Sequence, residues 1–220
     1  MVDFDGKIAC TVFTGGCNFR CPFCHNAPLV VGNVKSQQID CNEVFDYLQK
    51  RKGLVDAVCV TGGEPTLQPD LCDFLAKVRD MGYATKLDTN GLRPDVLKEV
   101  LDKKLVDFVA MDVKNSPVRY AQTVGAVELD LTPIDKSVSF LLRGTVDYEF
   151  RTTAVAEIHD DASFLSLADW LAGARRYYIQ RFQPRDTVLR AGLSAPSEMQ
   201  LHCWAELVRP KIPAVEIRGI

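Results

Sequence analysis

Apolar and polar positions change period again and again along this chain. The stretch 7–13, KIACTVF, is a short apolar run rich in β-formers, which predicts a buried strand. After a cysteine-rich loop, VFDYLQKRKG carries its apolar residues at helical spacing. Asp40 and Glu43 ahead of it form the D-x-x-E pattern of a capping box, and Gly53 supplies a stop. The alternation then repeats. A strand over 57–61 precedes GGEP and a helix that Pro69 opens, running to Met81 and ended by Gly82. A strand over 84–89 precedes Asn90-Gly91 and a helix from Pro94 to about Lys103. A strand over 107–114 leads to helical stretches near 117–124 and 133–142. The strand 147–155 leads to a helix over 163–173, and the strand 176–182 to a loop and a helix over about 197–208. A final extended AVEIRG closes the chain.

Six or more β-α units with no internal repeat and no linker predict one domain over residues 1–220. The expected class is α/β: a partial (β/α)6 TIM-type barrel with parallel strands. The chain is short for a sealed eight-fold barrel, so the barrel is expected to be open on one side. In such folds the chemistry gathers at the C-terminal ends of the strands. The unusual residues fall there: the cysteine loop, Gly62-Gly63-Glu64, Asp88-Thr89-Asn90 and the Asp112/Lys114 pair. They are expected to converge on one mouth.

Composition narrows the classes. Hydrophobic residues make up 47% and charged residues 25%, the balance of an ordinary globular protein. With 26 basic and 29 acidic side chains the net charge is −3, which gives no field for gripping nucleic acid. No apolar run is long enough for a membrane span, and the first residues lack the pattern of a signal peptide. The expected location is the cytoplasm, where the 8 cysteines suit metal binding or catalysis better than disulfides.

Cys17, Cys21 and Cys24 are spaced C-x3-C-x2-C. Such a thiolate cluster binds zinc or an iron–sulfur cluster. Structural zinc needs a fourth ligand, His25 or a remote thiol such as Cys10. His25 adjoins Cys24 directly, which is awkward for two ligands on one ion. An iron–sulfur cluster with three protein ligands leaves one iron open to a small molecule. Strand alternation puts Asp112 and Lys114 on one face. Arg151, mid-strand, needs a carboxylate, either from a cofactor or from a neighbouring strand. Cys10, Cys59 and Cys203 read as small buried residues.

CNFRCPFC, placed after the first strand with Phe23 before its last cysteine, resembles the signature of the radical S-adenosylmethionine enzymes. The longer stretch DGKIACTVFTGGCNFRCPFCHN resembles the start of the glycyl-radical-enzyme activases. Within that group it resembles the anaerobic ribonucleoside-triphosphate reductase activating proteins, and it is similar to pyruvate formate-lyase activating enzyme. The likeness to the reductase activators continues through TGGEPTLQ, LDTNG, VAMDVK, FRTTAV and VEIRGI. One departure is Asp5-Gly6, where the family often has Pro-Gly.

The resemblance implies a [4Fe–4S] cluster on Cys17, Cys21 and Cys24, whose open iron takes the amino and carboxylate groups of S-adenosylmethionine. Reductive cleavage would give a 5′-deoxyadenosyl radical that abstracts a glycine Cα hydrogen from a partner glycyl radical enzyme. Anaerobic ribonucleoside-triphosphate reductase is the implied partner, with a flavodoxin- or ferredoxin-type electron donor. Cofactor-binding roles are implied for Phe23, Gly62, Gly63, Glu64, Asp88, Asp112, Lys114, Arg151 and Gln183. Phe23 would pack on adenine, the two glycines would bring backbone to the methionyl amino group, and Lys114 would favour the carboxylate. Asp88, Thr89 and Asp112 would hold a monovalent cation, with the Ala110 carbonyl as a further ligand. Asp3 would approach the substrate backbone. Two other readings stand beside this one: a radical S-adenosylmethionine enzyme acting on a small molecule or peptide, and a non-catalytic metal-binding regulator.

Overall fold

Seven strands form one parallel sheet in chain order: β1 (Ala9–Thr14), β2 (Ala57–Gly62), β3 (Ala84–Thr89), β4 (Phe108–Asp112), β5 (Asp147–Ala154), β6 (Tyr177–Arg181) and β7 (Val215–Arg218). They are seen in a computed structural model that describes residues 3–32 and 38–220. Each strand pairs with its chain neighbours, and among the described residues β1 and β7 are the edges of an open barrel. The expected class holds, with one addition. The closing AVEIRG stretch is a seventh strand, which pairs Tyr177 with Val215 and Gln180 with Arg218.

Alternation along each strand sorts the side chains into two environments. Val58, Val60, Leu87, Val109, Met111, Phe150 and Ile179 face outward into the main core. There they meet the helices α2 (Cys41–Lys50), α3 (Leu71–Asp80), α4 (Pro94–Asp102), α6 (Thr132–Leu142), α7 (Asp161–Trp170) and α8 (Glu198–Val208). Short helices α1 (Ala27–Val31) and α5 (Tyr120–Thr123) complete the set. The in-between positions face the lumen. At its lower end Phe4, Ala57, Phe108 and Ala110 make a small apolar plug. Above the plug the lumen-facing positions turn polar and charged, and that switch makes the upper end a site.

Local chemistry shifts several boundaries. Asp40 caps α2 by accepting from the Asn42 backbone N–H at 2.7 Å, rather than through a reciprocal box with Glu43. α3 begins at Leu71 rather than at Pro69, because Pro65–Leu67 first make a tight 3-10 turn capped by Glu64. α7 starts at Asp161 behind a capping box of Asp160 and Ser163. Cys203 is exposed on α8 rather than buried, and Cys10 is half-buried. α8 buries Leu201, Trp204, Ala205 and Val208, a helical stripe that leaves Cys203 out of phase. No helix among the described residues is long and apolar enough to cross a membrane.

Trp204 joins α8 to α7. It is fully buried, stacks on Phe164 at 4.6 Å between ring centroids, and donates its indole N–H to Asp161 at 2.8 Å. Trp204→Ala is expected to lower unfolding free energy by about 3–5 kcal/mol through the cavity it leaves. Trp204→Phe, which keeps a ring and loses the hydrogen bond, should cost about 1–2 kcal/mol. Denaturant unfolding of the two variants measures the difference.

Candidate functional site

The thiols of Cys17, Cys21 and Cys24, the loop after β2 and the ends of β3, β4 and β5 all open on one cavity of about 240 Å³. Of the expected site residues, Phe23, Gly62, Gly63, Glu64, Asp88, Thr89, Asp112, Lys114 and Arg151 line it with the three cysteines. Gln183 does not. β6 ends at Arg181, and the residue that faces the cavity is Gln180, in phase with Tyr178. Gln183 acts through its backbone instead: its carbonyl bonds His25 Nε2 at 2.8 Å. Asp3 lies at the other end of the lumen, in a small hollow with Lys86, Phe108 and Glu149.

The cysteine loop is held from several sides. Thr14, at the end of β1, receives the Gly63 N–H at 2.8 Å, and Gly16 receives the Glu64 N–H at 2.8 Å. These bonds explain the two glycines. A Cβ on Gly62 would lie 2.4 Å from the Thr14 nitrogen, and one on Gly63 would lie 1.9 Å from the Gly16 oxygen. Gly62 also has φ +117°, a conformation that side-chain-bearing residues rarely take. The pair therefore lets the β2 loop lie directly against the cysteine loop. The Gly62 carbonyl is itself taken by Asn26 Nδ2 at 2.9 Å.

Glu64 is a brace. It is 1% exposed, and burial pushes its carboxyl up against the hydrogen bonds that hold it charged. Those bonds come from the Thr66 N–H at 3.1 Å, the Thr66 and Thr89 hydroxyls, and the Asn90 N–H at 2.7 Å. Thr89 is thus engaged with Glu64. Asn90 reaches on to Asn18 Oδ1 at 2.7 Å, which ties the end of β3 to the cysteine loop.

Three features bear on a metal centre. Burial pushes the Cys21 thiol up to about 12, against the pull of the Lys114 ammonium. Burial also raises Cys17, opposed by the Phe19 N–H, which donates to its sulfur at 3.4 Å. His25 borders the cavity, but its ring stacks on Phe182 at 5.3 Å with 3° between the planes, its Nε2 bonds the Gln183 carbonyl, and burial lowers its pKa. Cys10 packs against the core on the helix side of the sheet. With His25 Nε2 engaged by the Gln183 carbonyl and Cys10 on the helix side, neither is set as the fourth ligand of a structural zinc. Three thiols, Cys21 buried and Cys17 and Cys24 half-buried, opening on a cavity wider than one ion fit a multi-iron cluster that keeps a position free for a small molecule.

The acids of β3 and β4 are bound to side-chain cations. Arg151 Nε donates to Asp112 Oδ1 at 2.8 Å, and its Nη1 donates to Asp88 Oδ2 at 3.2 Å. The partner of Arg151 is thus an acid on the neighbouring strand, with a second acid one strand further on. Lys114 Nζ takes Asp112 Oδ2 at 3.0 Å, and Lys86 Nζ takes Asp88 Oδ1 at 2.9 Å. Burial disfavours the Asp112 charge, but Arg151 and Lys114 outweigh it and hold the carboxyl well below the usual carboxylate range. All four oxygens of Asp88 and Asp112 are engaged, and the Thr89 hydroxyl is given to Glu64. The residues do not fit the expected monovalent cation. Lys86, 4% exposed, had not been expected here at all. Its signal was its place two residues before Asp88, on the same strand face. Cys59, also on that face, has its sulfur 3.8 Å from Asp88 Oδ1 and a thiol pushed up to about 12 by burial.

Several known proteins resemble this chain. A Methanocaldococcus jannaschii protein that carries the name of a glycyl-radical enzyme activating enzyme is 31% identical over 100% of this chain and 92% of its own. The pyruvate formate-lyase-activating enzyme of Clostridium pasteurianum is 33% identical over 52% of this chain and 49% of its own. Among solved structures, Streptococcus suis SuiB superposes with a TM-score of 0.76 at 13% identity, over 96% of this chain and 49% of SuiB, a likeness of fold. The sequence profile of the Radical SAM superfamily matches residues 11–159. That span runs from β1 through the cysteine loop to Arg151 and the end of β5, and on it the chain belongs to the radical SAM superfamily.

Proposed function

We propose that this enzyme is an activase: it takes a hydrogen atom from a glycine Cα of a partner glycyl radical enzyme, and that partner is anaerobic ribonucleoside-triphosphate reductase. The whole-length likeness to the Methanocaldococcus jannaschii protein carries the activase reading. The naming of the partner rests on the motif resemblance from the cysteine loop to VEIRGI. When bound, the cluster supplies an electron and S-adenosylmethionine supplies the hydrogen-abstracting group.

The chain's own residues bind, orient and shelter. Cys17, Cys21 and Cys24 hold the cluster. Lys114, its ammonium fixed by Asp112 at 3.0 Å, offers charge-assisted hydrogen bonds to the methionyl carboxylate. The Gly62-Gly63 backbone, seated against the cysteine loop, borders the same cavity. Phe23 is 4% exposed and sits edge-on to His159 at 6.5 Å, so it gives the cavity a rigid apolar floor. His159 in turn bonds the Lys114 carbonyl through Nε2 at 2.9 Å and fixes the chain after β4. Hydrogen-atom abstraction needs no general base, so the site has no use for one. The open side between the β1 and β7 edges suits a macromolecular substrate, which must lay a segment of its own chain across the mouth. A flavodoxin- or ferredoxin-type protein is the proposed electron donor.

Two outcomes test this reading. Cys21→Ala, purified without oxygen and reconstituted with iron and sulfide, should lack the cluster's visible absorption and give no 5′-deoxyadenosine with dithionite. Its circular dichroism should match that of the cluster-free wild type. One zinc and no sulfide in the wild-type protein would support the metal-binding regulator instead. In electron paramagnetic resonance, reduced enzyme and S-adenosylmethionine should raise a glycyl doublet on anaerobic ribonucleoside-triphosphate reductase. A doublet on a different glycyl radical enzyme would correct the partner. No doublet with any such enzyme would favour a small-molecule or peptide substrate.

A further inference from the structure

We propose that Lys86 and Arg151 are built-in cations standing where the activase likeness implies a bound monovalent ion, so that this protein holds S-adenosylmethionine without an alkali metal. The proposal rests on the S-adenosylmethionine reading of the cavity. It concerns how the acids at the mouth are neutralised.

An alkali cation is held by oxygen atoms whose negative charge and lone pairs are not already committed. Every oxygen of Asp88 and Asp112 already accepts from a side-chain cation. Their four oxygens accept from Lys86 at 2.9 Å, from Arg151 at 3.2 and 2.8 Å, and from Lys114 at 3.0 Å. Two carboxylates therefore face three side-chain cations. Glu149, the next acid in the lumen, is claimed by Arg218 through two bonds of 2.8 and 3.0 Å. An added alkali ion would bring one more positive charge beside Lys86, Arg151 and Lys114, which already neutralise these acids.

Lys86 is the telling residue. Burying an ammonium inside a sheet is costly unless a carboxylate repays it. Its Nζ sits on Asp88 Oδ1, with the Cys59 sulfur 4.0 Å away. An ammonium is a compact point charge, close in size to a potassium ion. Through Asp88 and Arg151 it completes the neutralisation of Asp112, and so leaves the Lys114 charge free for an anionic group in the cavity. Lys86 and Arg151 are positioning residues.

The test is a titration of the cluster-loaded, reduced enzyme with S-adenosylmethionine, followed by the change in the cluster's electron paramagnetic resonance spectrum. It is run with potassium, sodium or tetramethylammonium as the sole monovalent cation, the last being too large for such a site. The wild type should bind with affinities equal within about twofold in all three. Lys86→Met should bind at least about tenfold more weakly in tetramethylammonium and recover in potassium or sodium. Wild-type binding that needs potassium or sodium overturns the proposal. So does a Lys86→Met enzyme that binds like wild type in all three buffers, or whose loss no alkali cation restores. If Lys86→Met does not fold, the wild-type comparison decides the question by itself. A wild-type spectrum that never responds to S-adenosylmethionine is a different failure, that of the cofactor reading itself.

Discussion

An arginine inside the lumen of a parallel sheet must be matched by carboxylates, because an unpaired buried charge is far more costly than any packing it provides. Arg151 is matched twice. Asp112 lies directly across from it in the β4–β5 register, and Asp88 lies one strand further. Removing one member of such a largely buried set typically costs about 3–5 kcal/mol, because it strips the remaining charges of their partners. The pairing fixes three strand ends relative to one another, and the rest of the mouth hangs from them. Asp112 fixes Lys114, and Asp88 engages Lys86. The residues that follow Asp88, Thr89 and Asn90, hold both oxygens of Glu64, and the Glu64 N–H reaches Gly16. Cys17 comes next. An unbroken line of short bonds thus runs from mid-β5 to the first thiol.

The division of the lumen follows from the same pattern. Its lower end is closed by the aromatic rings of Phe4 and Phe108, 5.7 Å apart, packed with small alanines. Its upper end is lined by charges that are paired but not covered. The charged groups are held before any ligand arrives, so binding need not spend free energy ordering them. Among the described residues the sheet stays open between the edges of β1 and β7.

Much of this was legible in the sequence because strand alternation is a strict rule. It put Asp112 and Lys114 on one face, and the structure joins them. The same rule, applied to ATKLDT, places Lys86 beside Asp88. Phase from Tyr178 likewise points to Gln180, which lines the cavity, whereas Gln183 lies beyond the end of β6. Cys203 is out of phase with Leu201, Trp204 and Val208, so its exposure was also there to be read. By contrast, no local pattern could show that His25 stacks on Phe182 and bonds Gln183, some 158 residues away along the chain. Nor could one show that Gly62 and Gly63 are needed for contact with Thr14 and Gly16. Such facts belong to loop-on-loop packing, which depends on where the whole sheet places each strand end.

The central claim is that the hydrogen atom comes from a glycine Cα of a partner protein. The direct measurement is isotope transfer: anaerobic ribonucleoside-triphosphate reductase is prepared with α-deuterated glycine and treated with reduced enzyme and S-adenosylmethionine. Mass spectrometry then reads the 5′-deoxyadenosine. Deuterium in that product, in step with the glycyl signal, is the predicted result. Product formed at the same rate with no deuterium, from this partner or any other glycyl radical enzyme, would contradict the account.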